Sequence, residues 1–273
     1  MRAPVLVATD LDRTLVHSAR AAGPPGAAPV VRLEQRRGVV TAQLTHRAAA
    51  LLAELDRRAL WVPATTRTVA EYRRLDLEGR LGVAPRCVVC ANGGVLLVDG
   101  EPDGDWAAVV RDRLAPAAPI GEVGTVLARH LDRLDGAGPV RDADGCFLVV
   151  RAGRSAGWSA GWLEDLAGEC ATRGWRVVVH GDKVHVLPVA LTKGAAVAEV
   201  RGRTGARRVV AAGDSPLDAD VLEAADAGIQ PVDGRLHGAG RRFAHVAVTA
   251  AAGLAAGEEI AAWLVAQVGG DGG

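Results

Sequence analysis

Asp10 and Asp12, with Thr14 two residues further on, follow an apolar run, Val5-Leu6-Val7-Ala8. Folding alone gives little reason for two carboxylates and a hydroxyl in alternation at the end of a buried strand. Past a strand's last paired residue, alternate side chains can turn toward one spot at the sheet edge. Carboxylates gathered there repel each other unless a cation or a proton lies between them. Set against Mg2+, one aspartate can act as a nucleophile toward phosphorus and the other as a proton donor. The plainer alternative is an acidic turn with Thr14 capping a helix.

Phosphoryl transfer by a carboxylate also needs a group to hold the phosphoryl oxygens and a cation beside them. Thr65, after the short apolar run Leu60-Trp61-Val62-Pro63-Ala64, supplies a hydroxyl, and Asp214, after Gly213, supplies a further metal-facing carboxylate. The cation is Lys193. Of 32 basic residues only two, Lys183 and Lys193, are lysines. A lysine that survives such a bias points to a need for a compact ammonium, and Leu191-Thr192-Lys193-Gly194 reads as a helix start, where an anion is welcome. Ser215-x-x-Asp218 is a capping-box pattern with Pro216 at the first helical position, so Asp218 is either a cap or a residue of the metal site. Asp220 reads as a solvated helix residue.

These residues need a scaffold that brings distant segments together. Val5 to Thr9, Leu60 to Ala64, Arg86 to Ala91 and Arg208 to Ala212 are apolar strand patterns, each ending in polar residues and alternating with helical patterns. That is the signature of an α/β fold, a Rossmann-like, doubly wound parallel sheet whose ligands bind at the strands' carboxyl ends. Val30 to Leu33 and Gly38 to Val40 suggest a hairpin flap beside the first loop. Thr45 suits the N-cap of a helix carrying Ala48, Leu51, Leu52 and Leu55. Residues 101–187 read differently. Helical patterns at Trp106 to Leu114, Gly121 to Leu134 and Trp158 to Cys170 accompany a strand at Cys146 to Val150, and a hairpin turns at Gly181-Asp182. This predicts an inserted α+β module, with residues 1–100 and 188–273 forming the core. A Gly/Pro/Ala-rich loop is expected at 21–29, and residues 269–273 are expected to fray.

Formal net charge is zero, so no basic footprint suggests nucleic acid. No P-loop or dinucleotide fingerprint is present. Cys87 and Cys90 sit in a strand-like run that sends their side chains to opposite faces, and Cys146 and Cys170 lack zinc spacing; buried free thiols in a reducing cytoplasm are expected. No stretch approaches membrane-spanning length.

Taken in order, Asp10-Leu11-Asp12-Arg13-Thr14, Thr65, Lys193 and Gly213-Asp214 with Asp218 resemble the four motifs of the haloacid dehalogenase-like (HAD) phosphohydrolases. The insertion, with Asn92-Gly93 before it, resembles the α+β (type IIB) cap of the sugar-phosphatase branch. The family usually has glycine where Arg13 and Thr66 stand. The resemblance implies a Mg2+-dependent phosphatase of a small phosphate monoester, acting through an aspartyl-phosphate. Asp10 would be the nucleophile and Asp12 the acid/base, and Thr65 and Lys193 would hold the phosphoryl oxygens. Mg2+ would be held by Asp10, the Asp12 carbonyl and Asp214, with Asp218 orienting Lys193 or a metal-bound water. Arg13, Thr66, Arg67, Asn92 and Gly93 flank the phosphate and are expected to contact substrate, as are Lys183 and His185 on the cap, with His180 reaching in from the turn side. A phosphomutase, a nucleoside monophosphate phosphatase and a catalytically silent binding protein are the alternatives. The expected partner is a small phosphate ester, with a homodimer left open and neither nucleic acid nor membrane involved.

Overall fold

The computed structural model describes residues 5–23, 28–134, 136–152 and 158–269. Part of the expected 21–29 loop and most of the expected frayed end fall outside them. The chain forms two compact units: one runs up to Pro102 and resumes at Lys193, and the other is Asp103–Thr192.

In the first unit five strands form a parallel sheet in the order Val246–Val248, Ala227–Gln230, Arg208–Ala212, Val5–Thr9, Leu60–Pro63. Val5–Thr9 lies between strands that follow it by very different sequence distances, so the strand order reverses beside it; such a switch point opens a crevice at the carboxyl ends. Both faces of the sheet are covered, which explains the unbroken apolar runs. Val7, Trp61, Val210, Ala212 and Ile229 face a core shared with Leu52 and Leu55 of the helix His46–Arg58 and with Ile260 and Leu264 of the helix Gly253–Gly269. Their neighbours Leu6, Ala8, Val62, Val209 and Ala211 are equally buried on the opposite face. The last two strands escaped the sequence reading: Ala227–Gln230 has glycine at its second position and Val246–Val248 is three residues long. The Arg86 to Ala91 pattern does not join the parallel sheet: Cys87–Cys90 pairs antiparallel with Val95–Val98, and an isolated parallel bridge, Ala64 to Val89, joins this hairpin to the Leu60–Pro63 segment. The flap is the antiparallel pair Val30–Arg36 and Val39–Thr45.

The second unit is an antiparallel sheet in the order Trp175–His180, Lys183–Pro188, Phe147–Arg151, Arg141–Ala143, with the helices Gly104–Leu114, Ile120–Leu131 and Ala160–Ala171. Its bounds differ from the expected 101–187 at both ends. Glu101–Pro102 pairs with Val95–Val98, which ties it to the first unit. At the other end the last strand runs through Pro188, and Val189 and Leu191 donate to the carbonyls of Gly174 and Pro188, keeping 188–192 on the inserted unit. The cap hairpin turns at Gly181-Asp182 with positive φ at Gly181 alone, the first central position, as a type II′ turn requires. All four cysteines are free and buried. Among the described residues no helix is long and apolar enough to cross a membrane.

Candidate active site

The carboxyl ends of three neighbouring strands supply the site. Asp10 follows Val5–Thr9 directly, and its amide donates to the Ala212 carbonyl at 2.8 Å. On the other side the Ala64 amide donates to Thr9. Asp10, Thr65 and Gly213-Asp214 therefore leave the sheet side by side. Gly213 is required by a close approach: a Cβ there would lie 2.4 Å from the Cβ of Asp218.

Lys193 opens the helix Lys193–Thr204 and is 1% exposed. Its Nζ donates to Asp10 Oδ1 and to Asp218 Oδ1, both at 2.6 Å. Burial lowers the affinity of such an ammonium for its proton, but the two aspartates outweigh this and hold Lys193 above the usual lysine range. Asp220 is not solvated as expected: its Oδ2 accepts from the Gly194 amide at 2.7 Å, capping the first turn of that helix.

Asp218 is a cap and an anchor at once. Its Oδ2 accepts from Ser215 N, Ser215 Oγ and Asp214 N, closing the expected capping box, while Oδ1 receives Lys193. Its two oxygens are thus both engaged, Oδ2 by the Asp214–Ser215 turn and Oδ1 by the ammonium. Asp214 is different: both carboxylate oxygens are buried without a hydrogen-bond partner. Burial raises its carboxyl well above the usual range, as do the charges of Asp10 and Asp218, while Arg13 and Lys193 oppose the shift. Burial likewise pushes Asp10 up against the pull of Lys193. Asp10, Asp214 and Asp218 bring oxygens within 4.8 Å of one another. Three carboxylates share the Lys193 ammonium and the more distant Arg13 charge, and the donors are all oxygen, so the cluster fits a hard divalent cation such as Mg2+.

The Asp12 carboxylate stands outside that cluster. Arg67 grips it with two bonds of 2.7 Å and spends its remaining nitrogen on Glu34 and the Glu71 carbonyl. Arg67 is thus committed to holding Asp12 rather than presented to substrate, whereas Asp12 itself keeps 43% of its side chain exposed. Glu34 was not found from sequence, because its partners Arg67, Arg74 and Thr41 lie on other segments. Irregular register between Arg32 and Gln35 turns both Leu33 and Glu34 inward. Burial raises the Glu34 carboxyl, but bonds from Arg74 and Arg67 leave it below the usual range.

Thr65 is fully buried, and its hydroxyl accepts from the Arg67 amide. Asn92 and Ala91 donate to the carbonyls of Thr65 and Arg67, which brings Asn92-Gly93 beside this loop. The two departures from glycine differ physically. Arg13 has φ of 71°, in the left-handed region where a side chain costs about 1–2 kcal/mol. Thr66 has no positive φ, so its backbone makes no demand for glycine.

On the second unit, register puts His180 opposite Lys183 and Val178 opposite His185. All three polar residues therefore share one face, and His180 lies in that row instead of entering from the turn. His185 is 4% exposed, with its ring 5.9 Å from Phe147 and 6.2 Å from His180. Burial, aided by Lys183 and His180, lowers its pKa to about 3, so it stays neutral. Lys183 is only half-buried.

No family model and no curated protein matches the sequence. Solved structures do. The sucrose-phosphatase from Synechocystis sp. PCC6803, in complex with sucrose and phosphate, superposes with a TM-score of 0.65 at 18% identity, over 97% of this chain and 98% of that one. The C-terminal domain of C. albicans trehalose-6-phosphate phosphatase gives 0.61 at 13%, over 97% and 93%. The HAD subclass IIB sugar phosphatase BT4131 gives 0.56 at 12%, over 89% and 93%. The fold is that of the HAD superfamily phosphatases. Within it, sugar phosphatases are among the structures this chain is similar to along nearly its whole length.

Proposed function

We propose that this protein is a phosphatase that hydrolyses a small phosphate monoester, a sugar phosphate or a related hydroxylated metabolite. The observation that carries the reading is the ammonium of Lys193 bridging Asp10 and Asp218 at 2.6 Å beside the unpartnered oxygens of Asp214. Asp10 attacks phosphorus, forming an O–P bond as the ester oxygen departs with a proton from Asp12. Asp12 then takes a proton from water, which attacks phosphorus, frees phosphate and restores Asp10. Lys193 and Thr65 steady the phosphoryl oxygens, and Asp218 keeps the ammonium in place. Arg67 and Glu34 fix where the Asp12 carboxyl stands. Mg2+ held by Asp10, Asp214 and the Asp12 carbonyl would screen the charge between nucleophile and phosphate. The sugar phosphatases named among the similar structures support the substrate class.

Release of inorganic phosphate from a panel of sugar phosphates, phosphoglycerate conjugates and nucleoside monophosphates tests the proposal. Turnover that requires Mg2+ and Asp10 is the expected result. Transfer to another hydroxyl without phosphate release would mean a mutase, and no reaction with any ester would mean a binding protein.

A further inference from the structure

Arg13 sits where its backbone is strained, and the charge it carries is aimed at the most exacting acid in the site. Its Nε lies 3.6 Å from Asp214 Oδ2, beyond hydrogen-bond length but within ion-pair range. Neither side of this pair has a hydrogen bond: Arg13 Nε and both Asp214 oxygens are buried and unpartnered. Asp214 is 1% exposed, while 34% of the Arg13 side chain is open to solvent. We propose that Arg13 competes with the divalent cation for Asp214 and thereby sets the affinity of the site for its metal.

Two positive groups cannot both sit close to one buried carboxylate without repelling each other, and solvent screens them poorly there. Cation loading must therefore move the Arg13 head outward, and its open end leaves room to do so. The penalty comes from the arginine's charge rather than its bulk, because the contact is too long to be a packed hydrogen bond. The inference rests on the reading of Asp214 as a cation ligand and goes beyond it: metal affinity becomes a property of one side chain on the loop after the first strand.

Calorimetric titration of Mg2+, with Mn2+ paramagnetic resonance as a second probe, tests this on the full chain without substrate. Arg13→Gln keeps the strained backbone and removes the charge, whereas Arg13→Gly removes both; Asp214→Asn is the control. Both Arg13 variants are expected to bind either cation roughly tenfold or more tightly than wild type, and Asp214→Asn to bind weakly. Arg13→Gly alone should also gain thermal stability without added cation, which marks the backbone effect apart from the charge effect. Equal or weaker binding by Arg13→Gln would overturn the competition and leave the phosphatase reading standing. Absence of binding in all the proteins would overturn both.

Discussion

The two units handle polar side chains in opposite ways. In the core, Asp10, Lys193, Asp214 and Asp218 are almost fully buried and pinned by strand ends, helix starts and one another. On the cap sheet, His180, Lys183 and His185 stand in a row on one face, fixed only by the alternation of two strands and graded from half-buried to buried. In a dry, interlocked cluster substitutions are coupled, because each charge answers for another. A row on a sheet face can be altered one residue at a time. On the proposed phosphatase reading, chemistry would belong to the first arrangement and discrimination between leaving groups to the second.

The largest effect that can break this division is at Asp10, the proposed nucleophile. Asp10→Asn should abolish turnover, a loss on the order of 10⁴-fold or more, while circular dichroism and melting temperature hold. Turnover within tenfold of wild type would exclude an aspartyl-phosphate. Asp12→Asn should cost roughly 10²–10⁴-fold.

Lys193→Ala comes next, because it strips the counter-charge from two buried carboxylates. Urea unfolding should show a loss of about 3–5 kcal/mol together with lost activity, and Lys193→Arg should restore little of either. Full rescue by arginine would mean that positive charge suffices and that the compact ammonium is not required.

A third test uses His17 of the core, 2% exposed and with its pKa lowered by burial to about 4. The unfolded chain protonates this ring below about pH 6.5 and the folded one does not. Stability from the neutral ring is therefore complete above pH 6.5 and is lost as pH falls toward 4. The amount is about 3 kcal/mol. Unfolding curves of wild type and His17→Gln should converge across that window; parallel curves would count against it.

The smallest effect sharpens the contrast on the cap side. Lys183→Ala should lower kcat/KM on the best natural ester by about tenfold, the scale of one lost hydrogen bond to a charged group, and leave a minimal aryl phosphate almost untouched. Equal losses on both would place Lys183 in the chemistry and erase the division. His185, neutral and packed on Phe147, should act by shaping that face, so His185→Ala should also lower cap stability.

The placement of the candidate core residues was legible because each of them ends a strand or opens a helix whose pattern is local. Asp10, Thr65, Lys193 and Asp214 could be placed on the sheet edge from their own neighbours alone. Glu34 and Asp220 were not legible: one meets its arginines across a bulged hairpin, and the other reaches a helix start 26 residues earlier in the chain. Arg67 shows the same limit from the other side, since proximity to the phosphate loop in sequence does not reveal that Asp12 and Glu34 consume its donors. The last two sheet strands were hidden by weak local composition, and tertiary pairing overrides that preference.

The strand that leads into Asp10 is completed by a neighbour made much later. Val5 pairs with Arg208, so about 200 residues must be synthesised before that side of the strand can close. At ribosomal speed the wait is on the order of 10–40 s. In that interval Leu6, Val7 and Ala8 form an open apolar edge, a target for holding factors or for mispairing. The inserted unit, whose strands among the described residues pair with one another, is translated whole before the sheet around Asp10 can form. The ammonium arrives in the same late stretch as the pairing strand. A nascent chain thus displays Asp10 long before it has the ammonium that will hold it.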